Sequence, residues 1–325
     1  MAQIGRQVKY GWGKETTANT GVAATHWTNH LSFELTPRSE YLNNESAYGV
    51  IERTNESTLL RQWAEGTLEA KLTSDSAGLI LLGAFGSVST GDNADTNPAV
   101  KDHTFTINQN VAGQTFSLIR KDDLSTMRYV GARIGEWELS MELDDYVKYT
   151  ANILARKGAS TTATPAYTTE TEFVPKHISI KTASSEAGLA GASALTAVES
   201  FTLTVNPNLH TNWSAGSADP ESFTSDGYEI SFEMTARYND QTFENAYNAS
   251  TTLALQVAAT NTDVTIGAAA NPKLVITAPK FNITDWTRSE DLDGPITQTF
   301  TGTIHYSVSA AKALTAVLTN TTASY

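Results

Sequence analysis

Histidine, cysteine and carboxylate side chains are where metal or acid–base chemistry would begin, and few of them are spaced to perform it. The chain has six histidines and no cysteine. Lack of cysteine excludes a disulfide framework, a thiolate nucleophile, an iron–sulfur cluster and every cysteine-bearing zinc site. His26 and His30 are four apart, but HWTNH sits at a loop-to-strand entry and lacks the glutamate of a metalloprotease helix. GDNADTN (91–97) and DLDG (291–294) resemble calcium loops without the twelve-residue spacing and closing glutamate, so both read as polar turns. Asp144 and Asp145 are adjacent, and adjacent strand residues point to opposite faces, so they are not expected to act as an acid–base pair. GxSxG, P-loop and GxGxxG motifs do not occur. The expectation is a protein without catalytic residues, cofactor or metal.

The elements that would position these residues are mostly strands. LSFEL (31–35), TLEAKL (67–72), TFSLI (115–119), WELSMEL (137–143) and YTANIL (149–154) alternate in the first half. HISIK (177–181), SFTLTV (200–205), YEISFEM (228–234), LALQVA (253–258), KLVIT (273–277) and TFTGTIHY (299–306) do so in the second. Period two with β-branched and aromatic enrichment is the half-buried strand pattern. Two segments read as helices. TSDSAGLILLGAFG (73–86) is compact and apolar, with Ser74 or Asp75 available to cap it, and ARYNDQTFENAYNAS (236–250) is its weaker counterpart. The fold class expected is mainly β, with one short helix in each half.

The alternation separates a dry from a wet strand face. Tyr228, Ile230, Phe232 and Met234 oppose Glu229, Ser231 and Glu233; Trp137, Leu139, Met141 and Leu143 oppose Glu138, Ser140 and Glu142. Leu68, Ala70 and Leu72 likewise oppose Glu69 and Lys71. The wet face is repeatedly acidic. Ordinary solvent exposure accounts for this, and so does a common wet surface formed by joining the strands into one large sheet or barrel.

Charge points the same way. Formal net charge is −13, from 22 basic and 35 acidic residues. Residues 1–157 contribute −4 (15 basic, 19 acidic) and residues 158–325 contribute −9 (7 basic, 16 acidic). A chain this acidic lacks the footprint that grips phosphates. Solubility alone explains the acidity; so does a need for something anionic to pass without sticking. The longest apolar run, 77–85, is far below the roughly 20 residues that cross a bilayer. MAQIGRQVKYGWGK has no apolar h-region, so neither a membrane address nor a secretion signal is expected.

The two helical segments occupy corresponding places, which suggests an internal repeat. A slide of 170 residues lays 8–37 on 178–207 without a gap, placing LSFELTP on FTLTVNP. Six elements then follow in the same order with matching apolar phase. Two tandem domains, 1–157 and 173–325, are therefore expected, joined by the aperiodic stretch GASTTATPAYTTETE (158–172). Two long polar connections, 38–64 and 208–225, follow the first strand of each half.

GRQVKYGWGKET, EGTLEAKLTSDSAGLILLGAFG, TFTINQNVAGQTFSLIRKDD, MRYVGARIGEWELSMELDD and the block from ESFTLTVNPNL to SDGYEISFEMTARYND resemble the siphophage major tail proteins, subunits of the non-contractile tail tube. The resemblance spans most of the chain. It implies a β-sandwich or barrel tube domain with a flanking helix, rings sharing an inner barrel, and a conduit for genomic double-stranded DNA. Its implied partners are further copies of the chain, a tape measure protein, a tail terminator and distal tail proteins. The implied location is the virion tail, assembled in the host bacterial cytoplasm. On this reading Glu69, Glu138, Glu142, Glu229 and Glu233 are the candidate lumen-lining residues, and three two-domain chains would close a pseudo-sixfold ring. The alternative is an extracellular β-sandwich adhesin or carbohydrate-binding module, with Trp12, Trp27, Trp63, Trp137, Trp213 and Trp286 as a stacking platform.

Overall fold

The computed structural model describes residues 4–290 and 292–325, so residues 1–3 and Asp291 of DLDG lie outside it. In the first half the strands are β1 (Lys9–Lys14), β2 (His26–Thr28), β3 (His30–Asn44), β4 (Glu56–Lys71), β5 (Gly86–Asp92), β6 (Lys101–Ile107), β7 (Phe116–Lys121), β8 (Thr126–Glu142), β9 (Lys148–Ala155) and β10 (Gly158–Ser160). In the second they are β11 (Ile178–Ala183), β12 (Val198–Asn206), β13 (Leu209–Asn212), β14 (Ser222–Ser225), β15 (Glu229–Arg237), β16 (Leu253–Thr260), β17 (Lys273–Ser289), β18 (Thr297–Ile304) and β19 (Thr315–Asn320). Helix α1 (Ala77–Phe85) follows β4, and α2 (Thr242–Asn248) follows β15. Each of the eleven alternating segments falls on a strand.

The frame of the molecule is one antiparallel eight-stranded sheet in the order β3-β4-β9-β8-β12-β15-β18-β17. Its first four strands and its last four repeat one connection pattern. In each set a 17-residue strand, β8 or β17, also leaves the sheet at its N-terminal end to join a second layer. There β8 pairs with β7 and β10, while β17 pairs with β16 and β19. Bulges at Ile134/Trp137 and Ile283/Asp285 bend the two long strands where they change layers. Gly131, at φ 63, supplies the left-handed backbone that the bend in β8 needs. Among the described residues the sheets do not close into a barrel within one chain.

Between the layers lies the core. Phe232 is 1 % exposed, with ring centroids 4.9 Å from Phe281, 5.9 Å from Phe201 and 6.2 Å from Phe300. It lies over Gly302, its cross-strand partner, where a Cβ would come within 2.3 Å of the ring. Helix α1 is apolar all round because all nine of its residues are buried. Its start differs from the expected Ser74 or Asp75 cap. Ser76 occupies the N-cap position and makes no side-chain cap bond. Instead, the Ser76 N–H and hydroxyl both donate to the Glu170 carboxylate, at 3.0 and 2.9 Å. Ser74 Oγ accepts the Thr171 N–H, and the Asp75 carbonyl accepts the Tyr325 hydroxyl.

Three features lock the halves together. β8 pairs with β12 in the eight-stranded sheet, and β19 lies between β6 and β17 in the second layer. The Asp95 carboxylate accepts the N–H groups of Ala268, Ala269 and Ala270, at 2.8–2.9 Å. The stretch 158–172 is held to the first half, through β10 and through the Thr73–Glu172 bridge and Lys71–Glu172 ion pair.

Candidate functional site

The polar face of the eight-stranded sheet is the candidate site. Residues directly opposite in an antiparallel sheet share a face, so the register locates every side chain on it. In the first half Ser32 stands opposite Glu69, Glu69 opposite Thr150 and Thr150 opposite Glu138. In the second half Thr202 stands opposite Glu233, Glu233 opposite Thr301 and Thr301 opposite Asp285. The same row, hydroxyl, carboxylate, hydroxyl, carboxylate, therefore occurs twice. The β8–β12 junction sets the two rows two residues out of step, since Glu138 meets Thr204 and Ser140 meets Thr202.

All five glutamates singled out in the sequence lie on this face. Glu142 pairs with Ser200, and Glu229 with Asn206. Glu142, Glu229 and Glu233 are exposed, while Glu69 and Glu138 are half-buried. Burial and the neighbouring charge of Glu136 push the Glu138 carboxyl above its ordinary value. The face also carries cations, among them Lys71 and Lys148 opposite each other in the row of Ser140, and Arg237 in phase with Glu233, and these are ion-paired. Lys148 lies 3.7 Å from Glu69 and 2.5 Å from Asp145, and the Arg38 Nε is 2.8 Å from Glu65. Between them run the hydroxyls of β12 and β18: Thr202, Thr204, Thr299, Thr301 and Thr303.

Sequence reasoning missed four carboxylates on this face. Glu34, Glu65 and Glu136 carry the same alternation signal as the five selected, in phase with Ser32, Glu69 and Glu138. Asp285 carried none, because the bulge beside it breaks the phase of β17.

The two long connections are structured hairpins. β3 continues to Asn44 and β4 starts at Glu56, so 38–64 is mainly a paired arm with its tip at 45–55. This arm exposes Tyr41, Leu42, Tyr48, Val50, Ile51, Leu59 and Leu60, with Ile51 fully open. In the second half β13 and β14 make the smaller hairpin, and it is seated on the first half. There Phe223 is buried, its carbonyl accepts the Arg133 guanidinium at 3.0 Å, and Trp63 meets Trp213 edge-on at 5.9 Å.

The remaining candidates stand apart from this face or serve turns. His26 bonds Thr25 Oγ1, and His30 packs edge-on against Tyr10 at 5.2 Å. Asp95 and Asn97 bond backbone N–H groups two residues ahead, a chain of Asx turns. Asp144 and Asp145 lie in the β8–β9 turn, correcting their placement on a strand, and Asp145 pairs with Lys148. Among the described residues no group of three or more His, Cys, Asp or Glu converges as a metal site. Trp12, Trp27 and Trp137 are buried, so the six tryptophans do not make a stacking platform.

The model of the phage tail tube protein family matches residues 5–304. The chain belongs to the phage tail tube protein family. That membership makes it a structural component of the virion tail, one that self-assembles with other tail components into a tube. Tail tube proteins are typically not enzymes. A search of curated proteins finds no match to this one.

Proposed function

We propose that this tail tube protein is the ring subunit of a long non-contractile siphophage tail, with the polar face of the eight-stranded sheet turned to the lumen. The observation that carries this reading is the doubled hydroxyl–carboxylate row on one continuous sheet. Its two four-stranded halves support an internal duplication of tube domains at 1–157 and 173–325, joined by 158–172. Three chains then supply six domains and 24 inner strands, a pseudo-hexameric ring. Both ring and stack contacts are heterologous, because a self-complementary patch would stop at a dimer.

Physics favours an acidic wall for a DNA conduit. Duplex DNA carries about one negative charge per 1.7 Å of axis, so a basic wall would bind it. Glu69, Glu138, Glu142, Glu229 and Glu233, with Glu34, Glu65, Glu136 and Asp285, repel the backbone, and the threonine hydroxyls keep the wall wetted. No chemical step is needed. The exposed apolar residues of the 38–64 arm suit burial against a neighbouring copy or the next ring. By resemblance the tape measure, terminator and distal tail proteins complete the tail, assembled in the host cytoplasm. Electron microscopy of the purified protein tests the reading. Tubes with three chains per ring support it; six chains per ring, or dispersed monomers under all assembly conditions, overturn it.

A further inference from the structure

The eight-stranded sheet ends in two open edges. Among the described residues β3 pairs only with β4, and residues 282–289 of β17 pair only with β18. Unpaired edge N–H and C=O groups are templates for another strand. The interior of the same sheet already contains a junction between corresponding strands. β12 stands to β15 as β3 stands to β4, through Thr202–Glu233 and Ser32–Glu69. β17 stands to β18 as β8 stands to β9, through Asp285–Thr301 and Glu138–Thr150. The β8–β12 junction is thus a pattern for joining β17 of one copy to β3 of the next.

Resting on the tube reading above, we propose that β3 of one copy pairs antiparallel with 282–289 of the next in the register of the β8–β12 junction, and that Glu34 and Asp285 meet there as opposed carboxylates that restrain free subunits from joining. The internal register is Ser200–Glu142, Thr202–Ser140 and Thr204–Glu138. Carried to the open edges, it becomes Ser32–Thr287 and Glu34–Asp285, and it ends there because β3 is bulged between His30 and Ser32. The polar face then gains a hydroxyl pair, Ser32–Thr287, in place of Thr202–Ser140. On the dry face Phe33 meets Trp286, where the interior has Leu203 against Leu139. Trp286 is only half-buried in the single chain and Leu31 is 48 % exposed, so the pairing covers apolar surface.

One position breaks the match. Where the internal junction sets Thr204 against Glu138, the open edges set Glu34 against Asp285. Like charges directly opposite across strands are destabilising, and a charge on an edge strand is a common guard against unscheduled pairing. The internal junction, formed once within a folding chain, has no need of that guard. The seam between copies does, since it must form only in a growing tail.

The chain has no cysteine, so introduced cysteines report alone. Tubes of the S32C/T287C double variant should give disulfide-linked dimers and trimers on oxidation, and S32C/D285C, one same-face step out of register, should give several-fold less. Mixing S32C and T287C single variants into an excess of unmodified chain serves if the double variant does not form tubes. Stronger cross-linking of the shifted pair, or none from either pair in tubes visible by microscopy, overturns the register while leaving the tube reading intact. Absence of tubes from the unmodified chain counts against the tube reading instead. E34T should lower the concentration at which tubes appear by about threefold or more at low salt, and an unchanged or raised threshold overturns the carboxylate restraint.

Discussion

Replacing Glu69, Glu138, Glu142, Glu229 and Glu233 together by lysine turns the proposed repelling wall into a binding one. Each exchange adds two charges, so five move the formal net charge from −13 to −3. The fold should survive. All five side chains leave the dry face untouched, and three are exposed. At position 69 the exchange replaces a partly exposed 3.7 Å ion pair with Lys148, of a kind that contributes about 0–1 kcal/mol, by two like charges that can turn apart into solvent. At position 138 it relieves the neighbouring charge of Glu136. The gain in DNA affinity follows from counterion release, with a slope of about −0.9 per phosphate neutralised. If only three phosphates are engaged the slope is about −2.7, and lowering salt fourfold tightens binding by about 40-fold. The assay is retention of a short duplex by assembled tubes at about 50 and about 200 mM salt, a range over which binding to phosphates depends steeply on salt. Variant tubes, confirmed by microscopy, that retain no more DNA than the parent at the lower salt would refute the charged-wall reasoning.

Three further outcomes are expected. Phe232→Ala should cost about 3–5 kcal/mol by denaturant unfolding, since it empties the site among Phe201, Phe281 and Phe300; a loss below about 1 kcal/mol would mean that the two layers pack loosely there. Burial pushes the His103 ring below its ordinary value of 6.5, so the folded state holds it neutral while the unfolded chain takes up a proton. Its contribution is complete above about pH 6.5 and declines as pH falls from there towards the folded value, so His103→Gln should flatten the fall in melting temperature between pH 7 and 5, and a steeper fall would contradict the sign. Asp95→Ala should speed hydrogen exchange at the amides of Ala268, Ala269 and Ala270, which lose their acceptor; unchanged exchange would show that the carboxylate does not hold the loop.

Local pattern was enough for much of this protein. Alternation in TLEAKL, WELSMEL and YEISFEM separated Leu68, Leu139 and Phe232 from Glu69, Glu138 and Glu233, because successive strand residues must point to opposite faces whatever the partner strand is. The helix expected over 73–86 was legible in its compact apolar stretch, which forms Ala77–Phe85, although the capping residue was not. Tertiary structure decided what lies beyond the reach of any short window. Ser76 begins α1 because Glu170, 94 residues later, reaches its N–H. Asp285 joins the acidic face because a bulge resets the phase of β17. The 38–64 arm is paired although its pattern is not amphipathic, since both its faces are exposed and only the backbone ladder joins its strands. Which strand lies beside which, β8 next to β12 and β19 between β6 and β17, depends on closing long loops around a shared core. Period two assigns a residue to a face; only the packed chain assigns that face its neighbours.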